Sequence, residues 1–290
     1  MTRPVIGIIG GSGLYQIDGL TDLRWENVAS PFGDASDELC FGQLAGIDVL
    51  FLPRHGRGHK ISPSEINYRA NIDALKRAGV TDIVSLSAVG GLRHEFPPGS
   101  FVLVDQFIDR SFARQKSFFG TGCVAHVSMG HPVCPRMGRA LLDAAVAASM
   151  PLIEGGTYLV MEGPQFSTKA ESELYRSWGC SVIGMTNMPE AKLAREAEIC
   201  YASVAMVTDY DCWHPDHDHV TVDMVVRVLH SNADKARSLI KHVVPQLGAH
   251  AGPCDAGCQN ALDHALITAP ESRDPAVLAK LDAVAGRVLK

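Results

Sequence analysis

Six short apolar runs, Val5–Ile9, Val49–Leu52, Ile83–Leu86, Phe101–Val104, Tyr158–Met161 and Ser203–Val207, constrain this chain more than any other feature. Each is followed by Gly, Pro or polar residues, and none alternates apolar with polar side chains. Runs of that kind predict strands buried on both faces. Amphipathic helices separate several of them, so the pattern predicts an α/β fold: a single domain with a mixed central β-sheet flanked by helices.

Several helix ends are legible. Ser62-Pro63-Ser64-Glu65 reads as a capping box opening a helix that runs to Gly79 and places Tyr68, Ile72 and Leu75 on one face. Thr168-Lys169-Ala170-Glu171 repeats the box, with Gly179 past the end. Pro189–Cys200 reads as a third helix, a fourth capped by Thr221 or Asp223 runs to about Leu247, and Asp274–Lys290 reads as a short closing amphipathic helix. Gly248–Cys258 is the one stretch loose enough for a hinge, and the residues beyond it are too few to fold alone. The expected organisation is one domain over residues 1–290, with 248–290 a C-terminal helical extension packed on it.

With 290 residues, a core large enough to need no metal or disulfide staple is expected. A net charge of −6 argues against a nucleic-acid surface or a polybasic membrane contact. No apolar run approaches the roughly 18 residues of a membrane span. Val5–Leu14 superficially resembles a signal peptide, but its glycines and the lack of a small-residue cleavage site argue for a buried strand and loop. Eight cysteines, scattered singly except Cys254 and Cys258, point to reduced thiols in a cytoplasm.

Open α/β sheets bind ligands beyond the carboxyl ends of their strands. After the first run comes Gly10-Gly11-Ser12-Gly13, which can offer backbone N–H groups and a hydroxyl to an anion. A dinucleotide fold would need a helix at once and an acidic residue about 20 positions on; Asp18-Gly19-Leu20-Thr21 reads as a turn instead. After the second comes Arg54-His55-Gly56-Arg57-Gly58-His59, a mobile cationic loop suited to a phosphate-sized anion. Ser87-Ala88-Val89-Gly90-Gly91 follows the third as a small-residue turn, and Thr208-Asp209-Tyr210-Asp211-Cys212-Trp213 follows the last. Two carboxylates ending an apolar run are either solvated or face a polar ligand. Anion-binding loops together with an acidic pair describe a ligand with a phosphate end and an amine-bearing end.

Those motifs, with Asn67-Tyr68-Arg69-Ala70-Asn71-Ile72, Met161-Glu162-Gly163-Pro164-Gln165-Phe166, Gly184-Met185-Thr186 and Pro189-Glu190, resemble the trimeric purine nucleoside phosphorylase family, in order from about residue 4 to 247. Within it they are most similar to the branch that cleaves 5′-methylthioadenosine. The resemblance implies a nucleoside phosphorylase-like fold and a salvage reaction, in which inorganic phosphate displaces adenine and leaves 5-methylthioribose 1-phosphate; adenosine is a further implied substrate. It implies phosphate binding by Ser12, Arg54, His55, Ser87, Ala88 and Thr186, with Ser12 and Ser87 where relatives often have Thr. Met185 would lie under the ribose, Phe166 beside the base, and Asp209 and Asp211 at N7 and the 6-amino group. His126, reaching from a neighbouring subunit, and Val225 would line the 5′ substituent. It further implies a cytoplasmic homotrimer, with the pairing of trimers into hexamers left open, acting on small molecules, with no cofactor beyond the phosphate co-substrate and no metal.

Two alternatives fit the same residues: a 6-oxopurine nucleoside phosphorylase, and a module that binds adenine nucleosides without turnover. His214–His219, with three His and two Asp, reads either as a metal site or, by the resemblance, as a lid over the base. Cys254 and Cys258 read as free thiols rather than a bridge. Trp178 is expected in the core and Trp213 in the lid packing.

Overall fold

Alternation of side chains along each strand divides the apolar runs between two cores. Val49 and Phe51 face one and Leu50 and Leu52 the other; Val204 and Met206 are likewise split from Ala205 and Val207. This two-sided burial is why the runs carry no polar positions.

The computed structural model describes residues 4–11, 13–215, 221–250 and 252–289. Its strands are β1 (Ile6–Gly10), β2 (Leu20–Glu26), β3 (Leu39–Leu44), β4 (Ile47–Pro53), β5 (Asp82–Gly91), β6 (Phe101–Val104), β7 (Gln106–Asp109), β8 (Ile153–Glu154), β9 (Thr157–Val160), β10 (Val182–Gly184) and β11 (Cys200–Tyr210). Its helices are α1 (Tyr68–Arg77), α2 (Pro135–Ala147), α3 (Lys169–Ser177), α4 (Asn187–Glu196), α5 (Val222–Gly248), α6 (Pro275–Lys280) and α7 (Asp282–Ala285). One mixed sheet runs β2-β3-β4-β1-β5-β10-β9-β7, and a second arm leaves β5 through β11, β6 and β8.

The sheet forks along β5. On one edge β1 pairs with it in parallel from Asp82 to Ser85, and β10 pairs antiparallel at Gly90 and Gly91. On the other edge β11 accompanies it from Asp82 to Gly91. Between Ser85 and Gly90 the first edge is left open, where an α/β sheet places its ligand crevice. A bulge at Thr208 interrupts the β11 register before Asp209 pairs with Gly90.

The capping box at Thr168 is present with both reciprocal hydrogen bonds. Other boundaries differ from expectation. Ser62 Oγ does donate to Glu65 Oε2 at 2.7 Å, but this closes a separate turn; α1 begins at Tyr68, capped by Asn67 accepting from the Ala70 N–H. The third helix spans Asn187–Glu196 with a kink at Met188, and stops early because Cys200 already belongs to β11. The closing segment breaks at Leu281 into α6 and α7, and more than half of 252–289 is turn or irregular chain rather than helix. It packs on the body of the fold through an Ala125–Leu266 bridge and buried Leu262 and Ala265. Trp178 is 44% exposed, because it caps the C-terminus of α3 and leans on Tyr175 at the surface. No helix among the described residues is long and apolar enough to cross a membrane.

Candidate active site

Arg54 ends up buried at 2% exposure where β4 runs out beside the open edge of β5. Its Nε and Nη2 donate to Glu190 at 2.8 and 3.1 Å, Nη2 also to Ser85 Oγ at 2.6 Å, and Nη1 to Leu86 O at 3.1 Å. Glu190, equally buried, also accepts from Ser85 Oγ at 2.6 Å and from the Tyr201 hydroxyl at 2.9 Å. The network continues through Asn187, whose Nδ2 donates to Ser85 Oγ and whose Oδ1 accepts from Ser87 Oγ at 3.0 Å. A buried charge pair persists only when hydrogen bonds satisfy both partners, as here. Four of the five guanidinium N–H groups are thereby engaged, and one Nη1–H remains for a ligand.

The rest of that loop is less cationic than its composition suggests. Arg57 is turned outward, paired with Asp37 at 2.7 Å and Glu38 at 2.8 Å and stacked over Trp25. His55 is half-buried, its ring stacked on His59 at 4.2 Å. Burial, opposed by the hydrogen bond to Ile61 O, pulls its pKa down to about 4, with the Arg54 charge adding to the fall. The ring is neutral at physiological pH. Its Nδ1 lies 2.8 Å from Ile61 O, an atom that can only accept, so Nδ1 carries the hydrogen.

Ser87 is buried and Ala88 half-buried on the open stretch of β5, and buried Thr186 caps the start of α4 without a side-chain hydrogen bond to the helix. Ser12 lies outside the described residues, as do residues 216–219 of the expected lid. His214 stacks on Tyr210 at 4.6 Å and 10°.

At the far end of the fork, Asp209 and Asp211 meet on one face. A Cβ on Gly90 would crowd Asp209 Oδ2 at 3.2 Å and touch Asp211 Cβ at 3.4 Å, so the missing side chain leaves room for the Asp209 carboxylate beside β5. They are 5% and 4% exposed. Burial drives the Asp209 pKa up to about 6, against a 2.7 Å hydrogen bond from Thr208 Oγ1 and with help from the Asp211 charge. Asp211 is also raised, chiefly by burial. Its Oδ2 makes no hydrogen bond of standard geometry to the described residues, although the Ser167 and Ser172 hydroxyls lie near enough to favour its charge. A buried acid with a spare oxygen is suited to a donor-bearing ligand edge. Trp213 is buried against the end of β5, its Nε1 donating to Gly91 O at 2.8 Å and its ring covered by Arg176.

Arg114, which sequence reasoning did not single out, ties these loops together. From a buried position it donates to the carbonyls of Met185 at 2.5 Å, Met188 at 2.7 Å, Glu162 at 2.7 Å and Met161 at 3.4 Å. Met185 packs so closely over Gly163 that a Cβ there would lie 2.5 Å from its sulfur. Phe166, on the same loop as Gly163, is 43% exposed. His126 is exposed on the segment bridged to Leu266, and Val225 is half-buried in α5. No hydrogen bond, ion pair or ring contact among the described residues joins either to the set above. Glu190, Asn187, Tyr201 and Arg114 were invisible as a group because their partners lie far away in sequence, 136 residues for Arg54 and Glu190. The available signal was Pro189-Glu190, present among the motifs of the family resemblance but not linked by sequence to Arg54.

Comparison with known proteins identifies the family. The pattern of the phosphorylase superfamily matches residues 5–245. The chain is 64% identical over 288 residues to an S-methyl-5′-thioadenosine phosphorylase from Cereibacter sphaeroides, covering 99% of both chains. Its fold matches that of a methylthioadenosine phosphorylase from an Antarctic soil metagenomic library with a TM-score of 0.92 at 46% identity, over 98% of this chain and 99% of that one. A variant adenosine/methylthioadenosine phosphorylase from Schistosoma mansoni, solved in complex with methylthioadenosine, matches with a TM-score of 0.79 at 37% identity, over 86% and 93% of the two chains.

Proposed function

The chain belongs to the phosphorylase superfamily, and from that premise we propose that it catalyses the phosphorolysis of S-methyl-5′-thioadenosine to adenine and 5-methylthioribose 1-phosphate. The observation that carries the reading is the buried Asp209–Asp211 pair at the end of β11, with Asp209 raised to about 6. Cleaving the glycosidic bond builds positive charge on the sugar and negative charge on the departing base. Phosphate bound along the open edge of β5 stabilises the first. Asp209, able to hold a proton near neutrality, donates it to N7 and stabilises the second, while the other oxygen of Asp209 and the Asp211 carboxylate accept from the 6-amino group.

In this reading the remaining Nη1–H of Arg54, the His55 ring, the Ser12, Ser87 and Thr186 hydroxyls and the backbone at Ala88 hold the phosphate. With Nδ1–H committed to Ile61 O, His55 offers Nε2 as an acceptor, which suits the single P–OH of hydrogen phosphate. Met185 supports the ribose and Phe166 flanks the base, where its exposure in a lone chain leaves it free to contact a ligand. His126 and Val225 line the 5′ end. The exposure of His126 is consistent with delivery to a neighbouring subunit of a trimer. The whole chain acts as one phosphorylase domain extended by residues 248–290, in the cytoplasm, with adenosine as a further substrate. The chemistry needs no cofactor beyond phosphate and no metal.

The test is release of adenine from methylthioadenosine with and without inorganic phosphate. Release that depends on phosphate is expected; release without it would indicate hydrolysis, and none at all would leave a binding module. Sedimentation showing a fully active monomer would overturn the assembly.

A further inference from the structure

Cysteines that stand apart in the sequence come together in the fold. Cys134 caps the start of α2, Cys200 opens β11, and Cys254 and Cys258 lie in the segment after α5. All four are buried, and their sulfurs all lie within 4.8 Å of one another. The Cys134 and Cys254 sulfurs are 3.5 Å apart and those of Cys254 and Cys258 3.9 Å. A disulfide requires about 2.05 Å. A tetrahedron with zinc–sulfur arms of about 2.3 Å has edges of about 3.8 Å. We propose that Cys134, Cys200, Cys254 and Cys258 bind one zinc ion as a closed, structural tetrathiolate site.

The surroundings suit the charge such a site carries. On binding, four thiols release four protons and the cluster takes a net charge of −2. Arg195 Nη1 lies 3.9 Å from Cys258 Sγ, and Gln259 Nε2 3.7 Å from Cys200 Sγ, so N–H groups already face two of the four sulfurs. Arg136, paired with Asp82, adds a second cation beside Cys200. Cys134 sits at the N-terminal, positive end of α2. Cys254 and Cys258 are separated by three residues, within the two to four typical of paired structural zinc ligands, and Gly257 between them has the left-handed backbone, φ 69°, of a tight turn. Four sulfur ligands leave no open position, so the ion holds structure rather than taking part in phosphorolysis. It joins the C-terminal segment to α2 and to the start of the strand whose other end carries Asp209.

The protein purified without chelators decides the matter by elemental analysis. About one zinc per chain is expected, released when a mercurial titrates the thiols, and absent from Cys254→Ser/Cys258→Ser. Cobalt in its place should give the thiolate charge-transfer and intense visible bands of a tetrahedral sulfur site, a readout independent of catalysis and of whether the double variant folds. Zinc retained by the double variant, iron instead of zinc, a mass loss marking disulfides, or free alkylatable thiols in protein that refuses added zinc would each overturn the proposal.

Discussion

Arg54 directs Nε and Nη2 at the carboxylate of Glu190, 136 residues away in sequence, and both side chains are sealed from solvent. Arg54→Ala therefore removes more than the proposed phosphate contact. It strands a buried carboxylate, which should destabilise the chain by about 3–5 kcal/mol, alongside a higher KM for phosphate. Glu190→Gln should lower stability while leaving the Arg54 side chain in place. Urea titration of the two variants checks this, and an Arg54→Ala protein as stable as the parent would sink the structural half of the argument.

The raised pKa of Asp209 bears on stability as well as on catalysis. Its folded value, about 6, exceeds its ordinary 3.8, so the folded state binds this proton more tightly. The contribution is fully favourable below the ordinary value and is lost as pH rises through about 6, a difference of about 3 kcal/mol at 1.36 kcal/mol per unit. Asp209→Asn should accordingly raise the unfolding free energy by up to that amount at about pH 8 and by little at about pH 4. In the parent enzyme, kcat/KM for the nucleoside at saturating phosphate should fall on the alkaline side of about pH 6. A flat profile to pH 8 or so would remove Asp209 as proton donor.

Base choice follows from the same pair. Adenine brings a donor amino group to the buried carboxylates, whereas hypoxanthine brings a carbonyl that would face Asp209 oxygen to oxygen. A site built around one hydrogen-bonding pattern rejects the opposite one by on the order of a thousandfold or more. Methylthioadenosine should be cleaved at least that much better than inosine, and Asp209→Asn should narrow the ratio. Equal cleavage by the unmutated protein would shift the choice of base to Phe166, Met185 or the residues around Trp213.

Arg114 holds four carbonyls drawn from two different loops. Lysine keeps the charge but not the planar fork, so Arg114→Lys should leave several of those carbonyls unpaired at about 1–3 kcal/mol each in the worst case. The expected result is a lower Tm together with a higher KM for nucleoside, since Met185 and the Gly163–Phe166 loop lose their common anchor. Wild-type kinetics in this variant would show that the loops are held by other contacts.

What the sequence made legible follows local physics. β6 has the expected limits, Phe101–Val104, because an apolar run between Gly-Ser and Asp has only one way to be buried. β5 is longer than expected because Ser87, Ala88 and the glycines, which resemble a turn, continue as strand when β11 pairs along them. β2 escaped notice because its residues are mostly exposed and polar, an edge strand without an apolar signature. The acidic pair was visible as two carboxylates ending an apolar run, but its meeting place at Gly90 belongs to a different strand. The convergence of four cysteines depends wholly on tertiary contacts, and spacing pointed only to Cys254 and Cys258.

The fork in the sheet also acts as a gauge. Ser87 and Gly90 belong to the same continuous strand, three residues and therefore about 10 Å apart along it. Under the proposed function, the two ends of the substrate would be held at a separation set by backbone rise rather than by the closing of one part of the protein on another. Replacing Arg54 or Asp209 alters which chemical group is gripped at each end, but the interval between the grips stays the same.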